Sequence, residues 1–520
     1  MWAFCHLQFA AKHSVARANA IIVGADRKTT AKVSNKSSKE IQRMLASFSR
    51  KGPRIRLSPN KKRLALQKLI EWNGKKKRKP LVIYGARQIG KTYLIKDIFA
   101  ETYYKGKYLY IDFKKDEEAR QFINGANGRA GVCDAKAIIA HFEMRERMKI
   151  GSDTLLIFDE AQEALPILTS LKYFKQDFPE IPVLASGSMV RMKIKRQATI
   201  ASQHGTEGFF FPVGAIRELN LYPVSFEEFI MNYNPALYQE IKSAYAEKKP
   251  MDEYLHKFSL DALYKFLLVG SMPENVQSFL DGEPFIDIKE NIEAIYSNYL
   301  NDMDLYQASS ASIVRSKMVF SNIYSQLAKK SKNFRPSLLE KDLKNRDLRT
   351  PVDWLVTAHV VHRSFETSEV VTTPLKGKDE NNYRLYLLDN GLLAHESGIS
   401  MLSCADPNHR NKVSGAFFEN YVACELVAKG FKLFYWKGKR GSEFEFLIED
   451  NGQIVPIDAK KGRGGLHSLD AFRNHNANKT AIKVSSNNFG IDEMRGIITI
   501  PLYMFFAYLN DVSSRSEEII

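Results

Sequence analysis

The chain of 520 residues reads as an α/β protein in three successive parts: a parallel sheet, a mostly helical middle and a second α/β unit. Three observations predict this. The apolar run Leu81–Tyr84 passes directly into the glycine loop Gly85-Ala86-Arg87-Gln88-Ile89-Gly90-Lys91-Thr92 and then into a helical pattern. A second apolar run, Thr154–Phe158, ends in the adjacent carboxylates Asp159 and Glu160. Such unbroken runs suit strands covered on both faces, as in a parallel sheet. Near the far end, a helical pattern over Gly415–Lys429 precedes three strand-like runs, Lys432–Trp436, Glu443–Ile448 and Gln453–Lys460.

Composition narrows the class. Lys and Arg number 76 against 59 Asp and Glu, a net charge of +17, which favours a polyanionic partner such as nucleic acid. Cys5, Cys133, Cys404 and Cys424 are scattered without a C-x-x-C spacing, so neither a disulfide framework nor a zinc knuckle is expected. The longest apolar run, Ile497–Leu509, is broken by Pro501 and falls short of the ~20 residues a spanning helix needs. A soluble, cytoplasmic protein with no membrane partner is the expectation.

In chain order, residues 1–60 form a basic arm with no sustained period; only Asp26 and Glu40 are acidic in its first fifty residues. A transit peptide, a disordered arm and an upstream extension of the reading frame share this composition. Leu64–Trp72 has helical spacing, and Lys75–Lys79 reads as a solvated turn before a buried strand.

The glycine loop then fits G-x-x-x-x-G-K-[ST] between strand and helix. Gly85 and Gly90 let the backbone curl so that its N–H groups face phosphate oxygens, and the helix N-terminus adds partial positive charge. Lys91 reaches the β- and γ-phosphates, and the Thr92 hydroxyl suits Mg²⁺. Tyr108–Phe113 reads as a second strand. After the Thr154–Phe158 strand, Asp159 suits Mg²⁺ through water and Glu160 suits a general base. Ile181–Ala185 is a further strand, ending in Ser186-Gly187-Ser188. A hydroxyl there, Ser188, is placed to sense the γ-phosphate or orient water. The basic residues Arg191, Lys193, Lys195 and Arg196 that follow suit nucleotide, nucleic acid or solvent equally.

These segments, with Leu155–Glu160 as LLIFDE, Ala185–Ser188 as ASGS and Phe211–Gly214 continuing to Leu221–Phe229, resemble the prokaryotic AAA-type P-loop ATPases that end in a restriction-endonuclease-like domain. The resemblance implies a RecA-like P-loop sheet over 61–230 that binds and hydrolyses ATP with Mg²⁺. It implies a helical and winged-helix middle over 231–400 and a PD-(D/E)xK nuclease-like domain over 401–520. Where many relatives have Gly-Arg, this chain has Gly214-Ala215. If the resemblance implies a trans-acting arginine finger at that position, this chain lacks it there, and Arg217 is a guess at a substitute.

Phe226, Phe229, Tyr254, Phe258, Tyr264 and Phe266 stand at helical spacing and read as core. The turns Gly270–Pro273 and Asp389–Leu393 again match the relatives. Helices over 321–330, 337–344 and 350–361, followed by strands at Val370–Thr373 and Tyr383–Leu388, make a winged-helix candidate. Such a unit contacts DNA or serves protein interaction.

At the end of the chain, Glu445 and Asp458 fall on neighbouring strands joined by the Asp450-Asn451-Gly452 turn. Spacing alone fits a half-exposed charged hairpin as well as a metal pair. The resemblance favours Mg²⁺ at Glu445 and Asp458, Lys460 beside the attacking water and Glu419 completing the cluster. Relatives carry the two carboxylates with their lengths exchanged. His467 and His475 lack metal-ligand spacing. Two readings follow. One is an ATPase coupled to a nuclease-like domain acting on DNA. The other is a nucleotide-dependent switch with an inactive nuclease-like domain, binding a protein partner or a second copy.

Overall fold

In a computed structural model, alternate residues of each central strand feed two different cores, which fixes how the first sheet is covered. The structure describes residues 63–125, 131–194, 212, 214–307, 309–399, 415–460, 468–476 and 480–517. The basic arm, Lys195, Arg196, Cys404 and His467 lie outside them.

The first sheet has five strands: β1 (Leu81–Tyr84), β2 (Tyr108–Asp112), β3 (Leu155–Asp159), β4 (Val183–Ser186) and β5 (Arg217–Asn220). They are all parallel, in the order β2-β3-β4-β1-β5. Leu81, Ile83, Leu155, Ile157 and Leu184 point into one core, and Val82, Tyr84, Leu156, Phe158 and Val183 into the other. The period of two in a strand makes this division automatic. The second core is closed by α3 (Glu117–Asn124), α4 (Ala135–Glu146) and α5 (Pro166–Asp177). The first contains α1 (Leu64–Asn73) and α2 (Tyr93–Ala100), which is wound as a π-helix, and it runs on without a break into the rest of the described chain.

That continuation begins with α6 (Phe226–Tyr233), α7 (Pro235–Ala246), α8 (Glu253–Val269), α9 (Pro273–Leu280) and the long α10 (Phe285–Tyr306). Ser225 and Glu228 form a capping box at the start of α6, satisfying two orphan donors at once. The Glu228 carboxylate also accepts from Leu64 N at 2.7 Å and pairs with Arg63 at 3.2 Å, so α1 starts against α6. The two turns expected from the sequence meet: Asp389 is buried and accepts from Ser271 N, from Ser271 Oγ at 2.7 Å and from Leu392 N at 2.7 Å.

The middle departs from the expected element pattern. Its helices are α11 (Ser310–Phe320), the short α12 (Ile323–Leu327) and α13 (Asn345–Thr357), with a single 3₁₀ turn at Pro336–Leu338 where a helix over 337–344 was expected. Pro336 opens that turn, and Asp342, in a left-handed conformation at φ +68°, breaks the stretch that would continue it. The first hairpin strand is β6 (Val361–Glu366), paired antiparallel with β7 (Tyr383–Leu387), not Val370–Thr373. Val371 instead donates its N–H to Asn476 Oδ1 at 2.7 Å.

This hairpin belongs to an eight-stranded mixed sheet, β12-β13-β11-β10-β9-β8-β6-β7. Its other members are β8 (Phe434–Lys437), β9 (Glu443–Asp450), β10 (Gln453–Lys460), β11 (Ala481–Ser485), β12 (Gly490–Asp492) and β13 (Ile497–Pro501). Helix α14 (Asn390–Ser397) follows the hairpin, and α15 (Gly415–Ala428) packs across β6, β7 and β10. The chain closes with α16 (Ser468–Arg473) before β11 and α17 (Phe505–Glu517) after β13.

Candidate active site

The loop 85–92 leaves the C-terminal end of β1 with Gly85 at φ +148° and Gly90 at φ +80°, conformations open to glycine and strained for other residues. A Cβ on Gly85 would overlap the Ile89 side chain and the Leu221 carbonyl. The loop therefore needs glycine there for space as well as for backbone freedom. Pro273, at the start of α9, lies against Gly90, 3.5 Å from where a Cβ would stand.

Lys91 is buried, and its Nζ donates to Gly85 O at 3.0 Å and Ala86 O at 2.7 Å. Burial pulls its pKa down to about 8, opposed by the nearby Glu160 and Asp159 and reinforced by Arg87. Thr92 Oγ1 donates to Asp159 Oδ2 at 2.6 Å. β4 lies between β1 and β3, with Ile83 level with Ser186 and Phe158 with Ala185, so the ends of all three strands converge. Asp159 collects further donors from Tyr110 OH at 3.0 Å, Ser186 Oγ and the Glu160 N–H at 2.9 Å. A carboxylate so held is fixed in direction.

Glu160 adopts a left-handed conformation, φ +50°, which costs a non-glycine residue energy and persists only where its surroundings impose it. Its carboxylate accepts from Gln162 Nε2. A cavity of about 550 Å³ is lined from the sheet side by Arg87, Lys91, Thr92, Glu160 and Ser188, and from the helical side by Arg63, Asn232, Pro273, Val276 and Gln277. That volume is in the range of small-molecule sites, ~300–1,000 Å³. Ser188 is buried with its hydroxyl lacking a hydrogen-bond partner among the described residues, whereas Ser186 holds Asp159. The hydroxyl and carboxylate of Thr92 and Asp159 are the hard oxygen ligands that suit Mg²⁺, so the residues present fit that ion.

Arg217 does not line this cavity. Arg217 lies on β5 and is exposed, and Ala215 is buried. Sequence reasoning missed Tyr110, Tyr299 and Asp302. Each reaches the site through space from a distant part of the chain, and no local pattern announces it.

The second cluster forms around a residue the sequence did not single out. Glu419 on α15 and Glu445 on β9 are buried, and between them stands Lys332, whose Nζ donates to Glu419 Oε1 and to Glu445 Oε1 at 3.3 Å. Glu445 Oε2 accepts from Ala459 N at 3.3 Å. The β9–β10 register, Phe446 with Ile457, continued by one residue sets Glu445 opposite the buried Asp458. The fully buried Arg384 donates to Glu443 at 2.8 Å and lies over the Tyr435 ring. Burial pushes the Glu419 carboxyl up, with Lys332 opposing and Glu445 reinforcing. Among the described residues no group of three or more His, Cys, Asp or Glu is arranged to hold a metal ion. Lys460 ends β10, and its side chain lies outside the described residues. His475 pairs with Glu369 at 3.1 Å.

With this geometry in place, the comparisons are specific for one segment. Residues 77–230 match the model of an AAA domain. Residues 260–403 and 414–504 match two models described as domains of unknown function, DUF8612 and DUF4143. The chain therefore carries an AAA-type P-loop ATPase domain. A solved Walker-type ATPase of Pyrococcus abyssi is similar over 67% of this chain and 99% of its own, at 12% identity and a TM-score of 0.37. PCH-2 of C. elegans is similar over 49% of this chain and 68% of its own, at 14% identity and a TM-score of 0.16. No curated protein matches the chain. Among the described residues no helix is long and apolar enough to cross a membrane.

Proposed function

We propose that this protein binds ATP at the 85–92 loop and hydrolyses it with Mg²⁺. The observation that carries the reading is the convergence of Lys91, Thr92 and Glu160 on one cavity, with Asp159 held behind them in direct hydrogen bond with Thr92. Thr92 and Asp159 are the residues that would hold Mg²⁺, which when bound neutralises phosphate charge. Lys91 meets the β- and γ-phosphates once released from the loop carbonyls, the loop N–H groups cradle the same oxygens, and Glu160 takes the proton of the attacking water. Ser188, buried and facing the same cavity, orients that water or the γ-phosphate.

ATP turnover by the purified full chain tests this. Lys91→Ala is expected to abolish nucleotide binding, and Glu160→Gln to retain bound ATP while turnover falls ~10²–10⁴-fold. ATP binding by Lys91→Ala equal to that of the parent would sink the assignment.

For the C-terminal sheet, the Lys332 ammonium favours the second reading, a nucleotide-dependent interaction switch. A cation already bridges one oxygen each of Glu419 and Glu445 and competes there with a metal ion for two of the three carboxylates that a nuclease would use. Incubation with supercoiled, linear and single-stranded DNA, with Mg²⁺ or Mn²⁺ and with or without ATP, is expected to show no strand breaks. Cleavage that disappears in Asp458→Ala would reverse this and restore the nuclease reading.

A further inference from the structure

The loop carries its own arginine, and α10 holds it. Arg87 is ion-paired through Nη1 with Asp302 Oδ1, across 215 positions of sequence. Tyr299 OH donates to the Arg87 carbonyl at 2.8 Å. Tyr299 and Asp302 are three residues apart on one helix, so they share a face, and that single face grips both the backbone and the side chain of one loop residue. Asp302 is 1% exposed, and its second oxygen is buried with no hydrogen-bond partner among the described residues. A buried carboxylate used at only one oxygen is a costly way to fix a loop. An apolar contact from α10 would serve a purely structural purpose at lower cost.

The guanidinium is placed where charge matters. Arg87 lines the same cavity as Lys91, Glu160 and Ser188. It lies within electrostatic reach of Lys91, whose proton it helps to loosen. Asp302 in turn feels Glu160 as well as Arg87, with burial the main force holding its proton on more tightly. The Arg87–Asp302 pair is thus beside both the phosphate-binding lysine and the residue assigned to activate water. Arg217 lies exposed on β5. Among the described residues near Gly214, no arginine lines the cavity.

We propose that Arg87 is the in-chain cation that stabilises the terminal phosphate of a bound nucleoside triphosphate during hydrolysis, with Asp302 and Tyr299 as its positioning residues. The assignment rests on the reading of this loop as an ATP site. Arg87 has five N–H donors in a fixed fork, so pairing with Asp302 through one nitrogen leaves others for phosphate oxygens. Because both positioning residues sit on α10, the placement of α10 sets how well the guanidinium meets the phosphate, and hydrolysis answers to the helical part of the chain.

Steady-state ATP turnover by the full chain, together with equilibrium binding of ADP with and without fluoroaluminate, tests this. Arg87→Ala is expected to lower kcat ~10²-fold or more and to leave ADP affinity within about threefold of the parent. It is also expected to lose the extra affinity that fluoroaluminate confers by imitating the transferred phosphoryl group. Arg87→Lys, which keeps charge but not the fork, should recover part of kcat. Asp302→Asn should lower kcat ~10-fold with KM nearly unchanged, the signature of a group that acts only when the phosphate reacts.

Turnover by Arg87→Ala within about threefold of the parent, or equal losses of ADP and ADP–fluoroaluminate affinity, would overturn the assignment. Unchanged kcat in Asp302→Asn would remove the positioning role. If the parent itself binds no ATP, the nucleotide reading falls and takes this one with it. If the parent hydrolyses ATP, Lys91→Ala does not, and Arg87→Ala does, only the role of Arg87 is lost.

Discussion

Thr92 Oγ1 and Asp159 Oδ2 are 2.6 Å apart although 67 positions separate them in the chain. The parallel order β3-β4-β1 brings the end of the carboxylate strand next to the start of the loop helix. Asp159→Asn keeps the shape of the side chain and removes the charge. It is expected to raise the Mg²⁺ concentration needed for half-maximal turnover and to lower kcat ~10²-fold. A Mg²⁺ titration of ATP hydrolysis reads both, and an unchanged Mg²⁺ dependence would exclude Asp159 from the metal site.

Lys91 gives the site a pH dependence with two opposite signs. Its pKa is about 8 in the folded protein, below the ordinary lysine value of 10.5, chiefly through burial. Between these values the unfolded chain binds the proton and the folded chain does not, so the Lys91 contribution makes stability rise with pH across this window. ATP needs the charged lysine, so its affinity falls as pH passes 8, approaching about tenfold per unit. Calorimetry in two buffers of different ionisation heat should show proton uptake on ATP binding at pH 9 and little at pH 7. Equal proton uptake at both would show that Lys91 does not titrate there.

Gly85 tolerates no side chain. With φ at +148° and the Leu221 carbonyl in the place of a Cβ, Gly85→Ala must displace backbone. The expected result is a melting temperature lower by more than about 5 °C together with lost ATP binding. Gly106, with a positive φ but open space around it, makes the control: Gly106→Ala carries only backbone strain and should cost about 1 kcal/mol.

Lys332 balances two buried carboxylates. Lys332→Met leaves Glu419 and Glu445 without that cation and is expected to destabilise the protein by about 3–5 kcal/mol. Adding Glu419→Gln removes one charge and should restore much of the loss. Urea unfolding of the two variants checks this. Equal destabilisation of single and double variants would show that Lys332 acts by packing rather than by charge.

Glu425 on α15 accepts from Phe226 N at 2.8 Å, and burial pushes its pKa up to about 7. From 4.5, the ordinary glutamate value, to 7 the folded chain binds a proton that the unfolded chain has lost, so the Glu425 contribution makes stability fall as pH rises through that window. Glu425→Gln should flatten this part of the stability–pH curve. A curve with the same slope in the variant would assign the effect to another group.

Much of the site was legible because its signal is local. A glycine loop between a buried run and a helical pattern, and two carboxylates closing another buried run, are written in consecutive residues. The same holds for the turns at Gly270–Pro273 and Asp389–Leu393, although their contact through Ser271 and Asp389 is a tertiary fact. The middle was read less well. Ser337–Lys344 is interrupted at Asp342, whose φ is +68°, and Val361–Glu366 was not expected as a strand because its strand character depends on pairing with Tyr383–Leu387.

The sequence by itself determined the phosphate loop, the Asp159–Glu160 pair, the parallel sheet and the strands that carry Glu445 and Asp458. Backbone conformation and strand burial follow from short-range pattern, so residue types and spacing suffice for them. Only the tertiary structure decided the through-space neighbours: Tyr110 on Asp159, Asp302 on Arg87, and Lys332 between Glu419 and Glu445. Lys332 sits in a polar stretch, Lys329–Asn333, that looks like any solvated turn. Its effect comes from the buried carboxylates that the fold brings to it, because the energy of a charge is set by what surrounds it and not by its neighbours along the chain.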